Sequence, residues 1–280
     1  MTFEVYVDDL VFPEAARWHD GELWFSDMHG GAVHRVDGSG TPVEVVRVAQ
    51  SPAGLGWLPD GRLLVVSMHD RRLLRLEPDG SLVEHADLAG VATWHCNDMV
   101  VDAAGRAYVG NFGGDTPVGT PVPPADIALV LPDGTVRVAA TGLEFPNGAV
   151  VSPDGATFIV AETRSFPPRL TRFDVRDDGT LTGRRTMVDF AREAPDGICL
   201  DAAGAVWVAS PFTNEVLRVR PDGVIDDRRS TGDQGAYSCA LGGPNDRTLF
   251  VCVADSWMAE QARQSRSGRI LATQVETPAA

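Results

Sequence analysis

The chain has 280 residues, 44% of them hydrophobic and 22% charged, a soluble globular composition with enough length for a large core. The formal net charge is −15, which argues against a phosphate-backbone partner, because that partner requires basic patches. All 24 basic residues are arginine, so Schiff-base chemistry and a P-loop lysine are excluded.

In chain order, Phe3-Glu4-Val5-Tyr6-Val7 reads as a strand with no hairpin of its own. Six hairpins follow. Asp20-Gly21 turns into Leu23-Trp24-Phe25-Ser26-Asp27, and Pro59-Asp60-Gly61 turns into Leu63-Leu64-Val65-Val66. The third, fourth and fifth turn at Gly105, Gly155 and Gly204, and the sixth turns through Gly243-Pro244-Asn245-Asp246-Arg247 into Leu249-Phe250-Val251-Cys252. Glycine accepts positive φ and aspartate bonds the local backbone, so these are turn signals with a mechanism. After each hairpin comes an amphipathic strand, such as Arg72-Leu73-Leu74-Arg75-Leu76 or Glu215-Val216-Leu217-Arg218-Val219, with the period of a half-exposed strand. A fourth short strand usually follows, giving four strands in roughly 40–50 residues, the signature of a propeller blade.

The expected fold is therefore all-β: a single domain over residues 1–280, built as a six-bladed β-propeller. The sixth unit runs out of chain after three strands, and the N-terminal strand is expected to pair onto it and close the ring. Helical periodicity is confined to Met258-Ala259-Glu260-Gln261-Ala262-Arg263. Phe112 to Asp126 is a long Pro- and Gly-rich stretch, read as a lid or binding loop. The N-terminus lacks the regions of a signal peptide and no apolar run reaches membrane length. Cys96, Cys199, Cys239 and Cys252 show no paired spacing and read as buried free thiols, so a cytoplasmic protein is expected. A small molecule is the expected partner, with no role for nucleic acid or membrane, and the sequence does not indicate an oligomeric state.

Three of the hairpins share a register. Asn97, Asn147 and Asp196 each sit eight residues before their turn glycine, which places them at one level at the start of an inner strand. Asp98 lies beside the first, and Glu14 comes seven residues before Gly21. The second blade offers only Ala53 and Gly54 there, and the sixth Ser238 and Cys239. Taken singly, Asn-Gly and Asp-Gly are merely turns, yet each of these units already has its turn later. Carboxylates and amides converging on a channel must be satisfied by something. They are hard donors that suit Ca²⁺ or Mg²⁺ more than Zn²⁺. His95 reads as a channel-lining residue that contacts substrate, with Trp94, Phe112 and Trp257 near the channel mouth. His29, His34, His69 and His85 read as surface or strand residues.

Glu14 ahead of Trp18, Asn97-Asp98 ahead of Gly105, Phe145-Pro146-Asn147-Gly148, Pro195-Asp196-Gly197, Cys239-Ala240-Leu241-Gly242-Gly243 and Ser267-Gly268-Arg269-Ile270 together resemble the regucalcin, gluconolactonase and luciferin-regenerating enzyme family. The resemblance spans nearly the whole chain and implies a six-bladed propeller with divalent-metal-dependent lactonase activity. It implies that Glu14, Asn147 and Asp196 bind the metal and that Asn97 touches substrate or metal. It also makes Asp196 the general base, with Asp98 as its neighbour. Two departures bear on the substrate more than on the metal: His95 stands where sugar-lactone members commonly carry arginine, and the third repeat reads Asn97-Asp98-Met99 where glycine is more usual. The expected function is hydrolysis of a small lactone by metal-activated water, with one divalent ion, Ca²⁺ ahead of Mg²⁺, Mn²⁺ or Zn²⁺. Asp196 and Asp98 are the expected catalytic carboxylates, and Asn97 and His95 the substrate contacts. The alternatives are the same site acting on an organophosphate or fluorophosphate, or a non-catalytic binding propeller.

Overall fold

A computed structural model describes residues 2–37 and 40–280. Among them are 24 strands and one helix. The N-terminal strand is β1 (Glu4–Leu10). The first sheet follows as β2 (Pro13–His19), β3 (Glu22–Asp27), β4 (Ala32–Val36) and β5 (Pro42–Arg47), and the second as β6 (Pro52–Trp57), β7 (Leu63–Ser67), β8 (Arg72–Leu76) and β9 (Leu82–Asp87). The third is β10 (Cys96–Val101), β11 (Ala107–Asn111), β12 (Ala125–Val130) and β13 (Val136–Leu143). The fourth is β14 (Pro146–Val151), β15 (Thr157–Glu162), β16 (Arg169–Val175) and β17 (Leu181–Asp189). The fifth is β18 (Ile198–Leu200), β19 (Val206–Ser210), β20 (Glu215–Val219) and β21 (Ile225–Ser230). The last has β22 (Gly235–Gly242), β23 (Thr248–Ala254) and β24 (Gly268–Gln274), and β1 pairs antiparallel with β24 as its fourth strand. Six sheets of four strands are the blades of the six-bladed β-propeller the repeat spacing predicts, with the N-terminal strand completing the sixth. Helix α1 (Ala259–Ser265) falls where the lone helical pattern lies.

The outermost strand of each sheet is its least buried, and the residues dictate it. β19 (VWVAS) and all eight residues of β22 are buried, whereas β21 (IDDRRS) alternates half-buried and exposed. An uninterrupted apolar run cannot present a polar face to water, so it takes the covered position; the alternating run takes an edge.

The chain divides into two compact units, Met1–Pro52 with Arg192–Ala280, and Ala53–Ala191. In the first, Ala16, Leu23, Phe25 and Val36 of the first sheet pack with Phe250, Cys252 and Ile270 of the last and with Val7 of β1. Trp207, Ala209 and Val216 of the fifth pack on Cys239, Leu249, Val251 and Val253 of the last. In the second unit Tyr108, Ile127 and Leu129 meet Ala149, Phe158, Val160 and Phe173. Burying side chains of this size between facing sheets stabilises by about 1.5–3 kcal/mol each. All four cysteines are free thiols within strands; burial pushes Cys96 up to about 12 and Cys252 well above its ordinary value. Among the described residues no helix is long and apolar enough to cross a membrane.

One buried ion cluster braces the second unit. Glu162, at the end of β15, is fully buried and accepts hydrogen bonds from Arg169 Nε (3.0 Å), Arg184 Nη2 (3.0 Å), the Thr171 hydroxyl and the Glu144 N–H (2.8 Å). Burial alone would raise its carboxyl, but the hydrogen bonds from Arg169, Thr171 and Glu144 outweigh burial and hold it below the usual carboxylate range. A carboxyl with a depressed folded value contributes stability that is complete above its unfolded value near 4.5 and is lost as pH falls through the folded one. Glu162→Ala leaves two arginines without their shared anion, so urea denaturation at pH 7 should show a loss of about 3–5 kcal/mol. The gap from wild type should narrow on acidification below pH 4.5.

Candidate functional site

Glu14 is the second residue of β2, at a one-residue bulge. Glu14 pairs with Ser26, but Arg17 pairs with Trp24, so Ala15 and Ala16 oppose a single partner residue. Ala15 has φ +50°, a conformation that costs a non-glycine residue about 1–3 kcal/mol. Glu14 Oε2 accepts the Ala15 N–H at 2.9 Å, which orients the carboxylate. Asp196 lies just before β18; its N–H donates to the Ala209 carbonyl (2.9 Å), and the Ala209 N–H donates back to Gly197 (3.0 Å).

Both acids are referred to β22. The Gly197 N–H donates to the Tyr237 carbonyl (2.8 Å), and the Ala16 N–H donates to Ser238 Oγ (3.0 Å). A Cβ on Gly197 would stand 2.6 Å from Ser238 Cα, so the approach of these two backbones requires glycine. β22 is itself bulged between Ala236 and Ser238, at Tyr237. Tyr237 is buried against the edge of Phe12, with ring centroids 4.6 Å apart. Burial first, then the charges of Asp196 and Glu14, push its phenol well above the ordinary value. The structure thus ties the segments that carry Glu14 and Asp196 to neighbouring residues of β22.

The second unit carries Asn97, Asp98 and Asn147. β10 is bulged between Cys96 and Met99, so Asn97 and Asp98 together oppose Gly110. Asp98 Oδ1 accepts the Met99 N–H at 2.8 Å, the same carboxylate-to-next-residue bond that Glu14 makes. β14 is bulged between Pro146 and Ala149, at Asn147-Gly148. Asn147 Nδ2 donates to Thr163 Oγ1 (3.1 Å), and Asn97 Nδ2 donates to the Pro146 carbonyl (3.5 Å). An amide is planar, so each of these bonds turns the carbonyl oxygen the other way. The small residues of the second blade also have a reason: a Cβ on Gly54 would collide with the Met99 amide.

His95 precedes β10 and is half-buried. Its ring stacks on Trp94 (4.8 Å) and packs against His69 (4.6 Å) and Phe112 (6.2 Å). Burial, then the neighbouring His69, lower it from its ordinary value, while Asp115 opposes them. Phe112 stacks on Phe145 at 4.5 Å, with the Arg164 guanidinium 5.8 Å from the Phe145 ring. Phe145, two residues before Asn147, has φ +59°, an outlying conformation for a bulky side chain.

Glu14 (9% exposed), Asn97 (6%), Asp98 (5%), Asn147 (7%) and Asp196 (8%) are all buried. The predicted metal ligands divide between the units, Glu14 and Asp196 in one and Asn147 in the other. Among the described residues no group of three or more His, Cys, Asp and Glu side chains is placed to hold a metal; a Glu–Asn–Asp set has only two. A cavity of about 900 Å³ in the first unit opens beside Phe3, Trp207, Arg228 and Arg229, and none of the predicted residues lines it. Sequence reasoning missed Tyr237, Thr163 and Arg164, and took Phe145 only as part of its motif with no role of its own. Tyr237 and Phe145 adjoin residues in the repeated register, which was the available signal. Thr163 and Arg164 follow β15 and belong to no motif.

Residues 12–255 match the model of the family described as SMP-30/Gluconolactonase/LRE-like region. The pentonolactonase XacC of Haloferax volcanii is 29% identical over 86% of this chain and 81% of its own. The 6-deoxy-6-sulfogluconolactonase of Pseudomonas putida is 28% identical over 96% of this chain and 92% of its own. The solved structure of a calcium-binding protein, regucalcin, from Agrobacterium tumefaciens superposes with a TM-score of 0.82 over 100% of this chain and 96% of that one, at 21% identity.

Gly197→Ala tests the β18–β22 junction. The added methyl has to displace backbone rather than a flexible side-chain end, and urea denaturation should show a loss of about 1–3 kcal/mol.

Proposed function

Because the chain belongs to the SMP-30/gluconolactonase/LRE-like family, we propose that it hydrolyses a small lactone in the propeller's central channel, with Glu14, Asn147 and Asp196 as ligands of one divalent cation. Donor chemistry supports this most directly. Two buried carboxylates, Glu14 and Asp196, lie beside backbone that bonds to adjacent residues of β22, and the amides of Asn97 and Asn147 both direct their nitrogens into the protein and so offer oxygen. An oxygen-only set fits a hard cation, Ca²⁺ before Mg²⁺ or Mn²⁺, with Zn²⁺ the poorest match.

Bound there, the cation would polarise the lactone carbonyl and stabilise the oxyanion. The residues do the rest. Asp196 accepts a proton from the attacking water, with Asp98 the alternative base. The water oxygen bonds to the carbonyl carbon, the ring C–O bond breaks, and the departing alkoxide takes back the proton held by that carboxyl to give a hydroxy acid. Asn97 positions the substrate, and His95 lines its path.

The test combines metal analysis with a lactone panel assayed with and without chelator. Asp196→Ala should lower lactone kcat by at least about 10²-fold and lose the bound metal, and Glu14→Gln and Asn147→Leu should weaken metal retention. Full lactone turnover by Asp196→Ala, or after exhaustive chelation, would remove the reading. Faster turnover of phosphotriesters than of any lactone would transfer the same residues to a different electrophile.

A further inference from the structure

We propose that the lactone taken by this protein carries a flat apolar group, held against a wall made by Trp94, Phe112 and Phe145 with the His95 ring between them, rather than the polyhydroxylated body of a sugar lactone. The inference rests on the hydrolase reading above and names its substrate class.

The wall is contiguous and adjoins the donor strands. Trp94 stacks on His95, His95 meets Phe112 edge-on, and Phe112 stacks on Phe145, at centroid distances of 4.8, 6.2 and 4.5 Å. Its backbone is tied to the same strands: the Phe112 N–H donates to the His95 carbonyl at 2.9 Å. His95 stands two residues before Asn97, and Phe145 two before Asn147. Trp94 is 37% exposed, and Phe112 and His95 are half-buried, so ring surface remains open to a ligand. Phe145 is held in its left-handed conformation, and strain of that kind persists where the surroundings dictate an orientation.

Arg164, Thr93, Asn111 and Arg71, around the wall, are engaged in bracing it. Arg164 donates to the carbonyls of Thr116 (3.0 Å), Thr120 (2.9 Å) and Pro117, pinning the 112–124 loop. Thr93 Oγ1 donates to the Gly113 carbonyl (2.9 Å), Asn111 Nδ2 to that of Asp126 (2.9 Å), and Arg71 Nη1 to that of Ala92 (3.2 Å). A sugar lactone needs a partner for nearly every carbon's hydroxyl, because each one buried without a partner weakens binding. Stacked rings offer a flat apolar group its contact area and impose no such demand. The first unit repeats the pattern beyond β19, whose Ala209 carbonyl holds Asp196. There Phe212 and Trp257 meet edge to face at 5.5 Å and are both exposed.

The experiment is initial-rate kinetics of the full chain, loaded with Ca²⁺, on dihydrocoumarin (an aryl-fused δ-lactone) and on glucono-δ-lactone. It uses wild type, Trp94→Ala, Phe112→Ala and Phe112→Leu. Trp94 is partly exposed, so its variant keeps the test open if Phe112→Ala fails to fold. Expected is a loss in kcat/KM for the aryl lactone, carried by KM, about ten-fold greater than the loss for the aldonolactone in both alanine variants, with Phe112→Leu recovering part of it. Equal losses on the two substrates, or wild-type preference for the aldonolactone, would overturn the inference and leave the hydrolase reading intact. A folded, metal-loaded protein that opens neither lactone would overturn both.

Discussion

The constraint on which Glu14, Asn97, Asp98 and Asn147 depend is one extra residue in a strand. β2, β10, β14 and β22 are each bulged by one residue at the level of the candidate side chains. A regular strand sends successive side chains to opposite faces. An inner strand of that kind would offer one residue in two to a given face and keep the rest in the core. The bulge breaks the alternation and re-aims a side chain without ending the sheet. At β10 it sets Asn97 and Asp98 together against Gly110. At β2 an N–H in the bulge, and at β10 the N–H just beyond it, is taken by the carboxylate itself, Glu14 on Ala15 and Asp98 on Met99. One local bond thus satisfies the irregular backbone and orients the acid.

This also separates what could be read from the residues from what could not. Turn chemistry and strand period carry the architecture: Gly21, Gly61, Gly105, Gly155 and Gly204 all have positive φ, and their spacing is the blade repeat. The N-terminal strand was legible because the sixth repeat lacks one. Glu14, Asn97, Asn147 and Asp196 could be aligned by their distance to the turn. The bulges could not, because an inserted residue changes that distance by only one, within the variation of the repeats. The partition of the chain into two units has no composition change to announce it. Likewise Thr163 could not be tied to Asn147 from sequence, because the bond joins the end of β15 to the start of β14 across 16 residues.

Support for the site reaches beyond the residues at it. Pro146 pairs with Glu162, so the start of β14 rests on the strand end where Arg169, Arg184 and Thr171 converge on one buried carboxylate. The next residue, Thr163, accepts from Asn147. A change in the ion cluster therefore acts on the amide through one residue of backbone. The first unit uses backbone contact instead: Gly197 is drawn against Ser238 closely enough to exclude any side chain, and Asp196 is fixed by being its neighbour.

The two modes lead to different tolerances for error. An amide oriented by a side-chain hydroxyl can be re-aimed by a single substitution that leaves the fold intact, since a lost hydrogen bond of this kind is worth only about 0.5–1.5 kcal/mol. An acid held by close backbone packing moves only if the strands move, and interiors at native density resist that strongly. A site that must hold charge in place is better served by the second mode, and the carboxylate Asp196 is where it is found. The neutral donor Asn147, whose misplacement weakens a site without leaving an uncompensated buried charge, rests on the softer one. Variation in specificity among chains of this fold should then fall on the strand that carries Asn147 and its aromatic neighbours, while the backbone junction at Asp196 stays as it is.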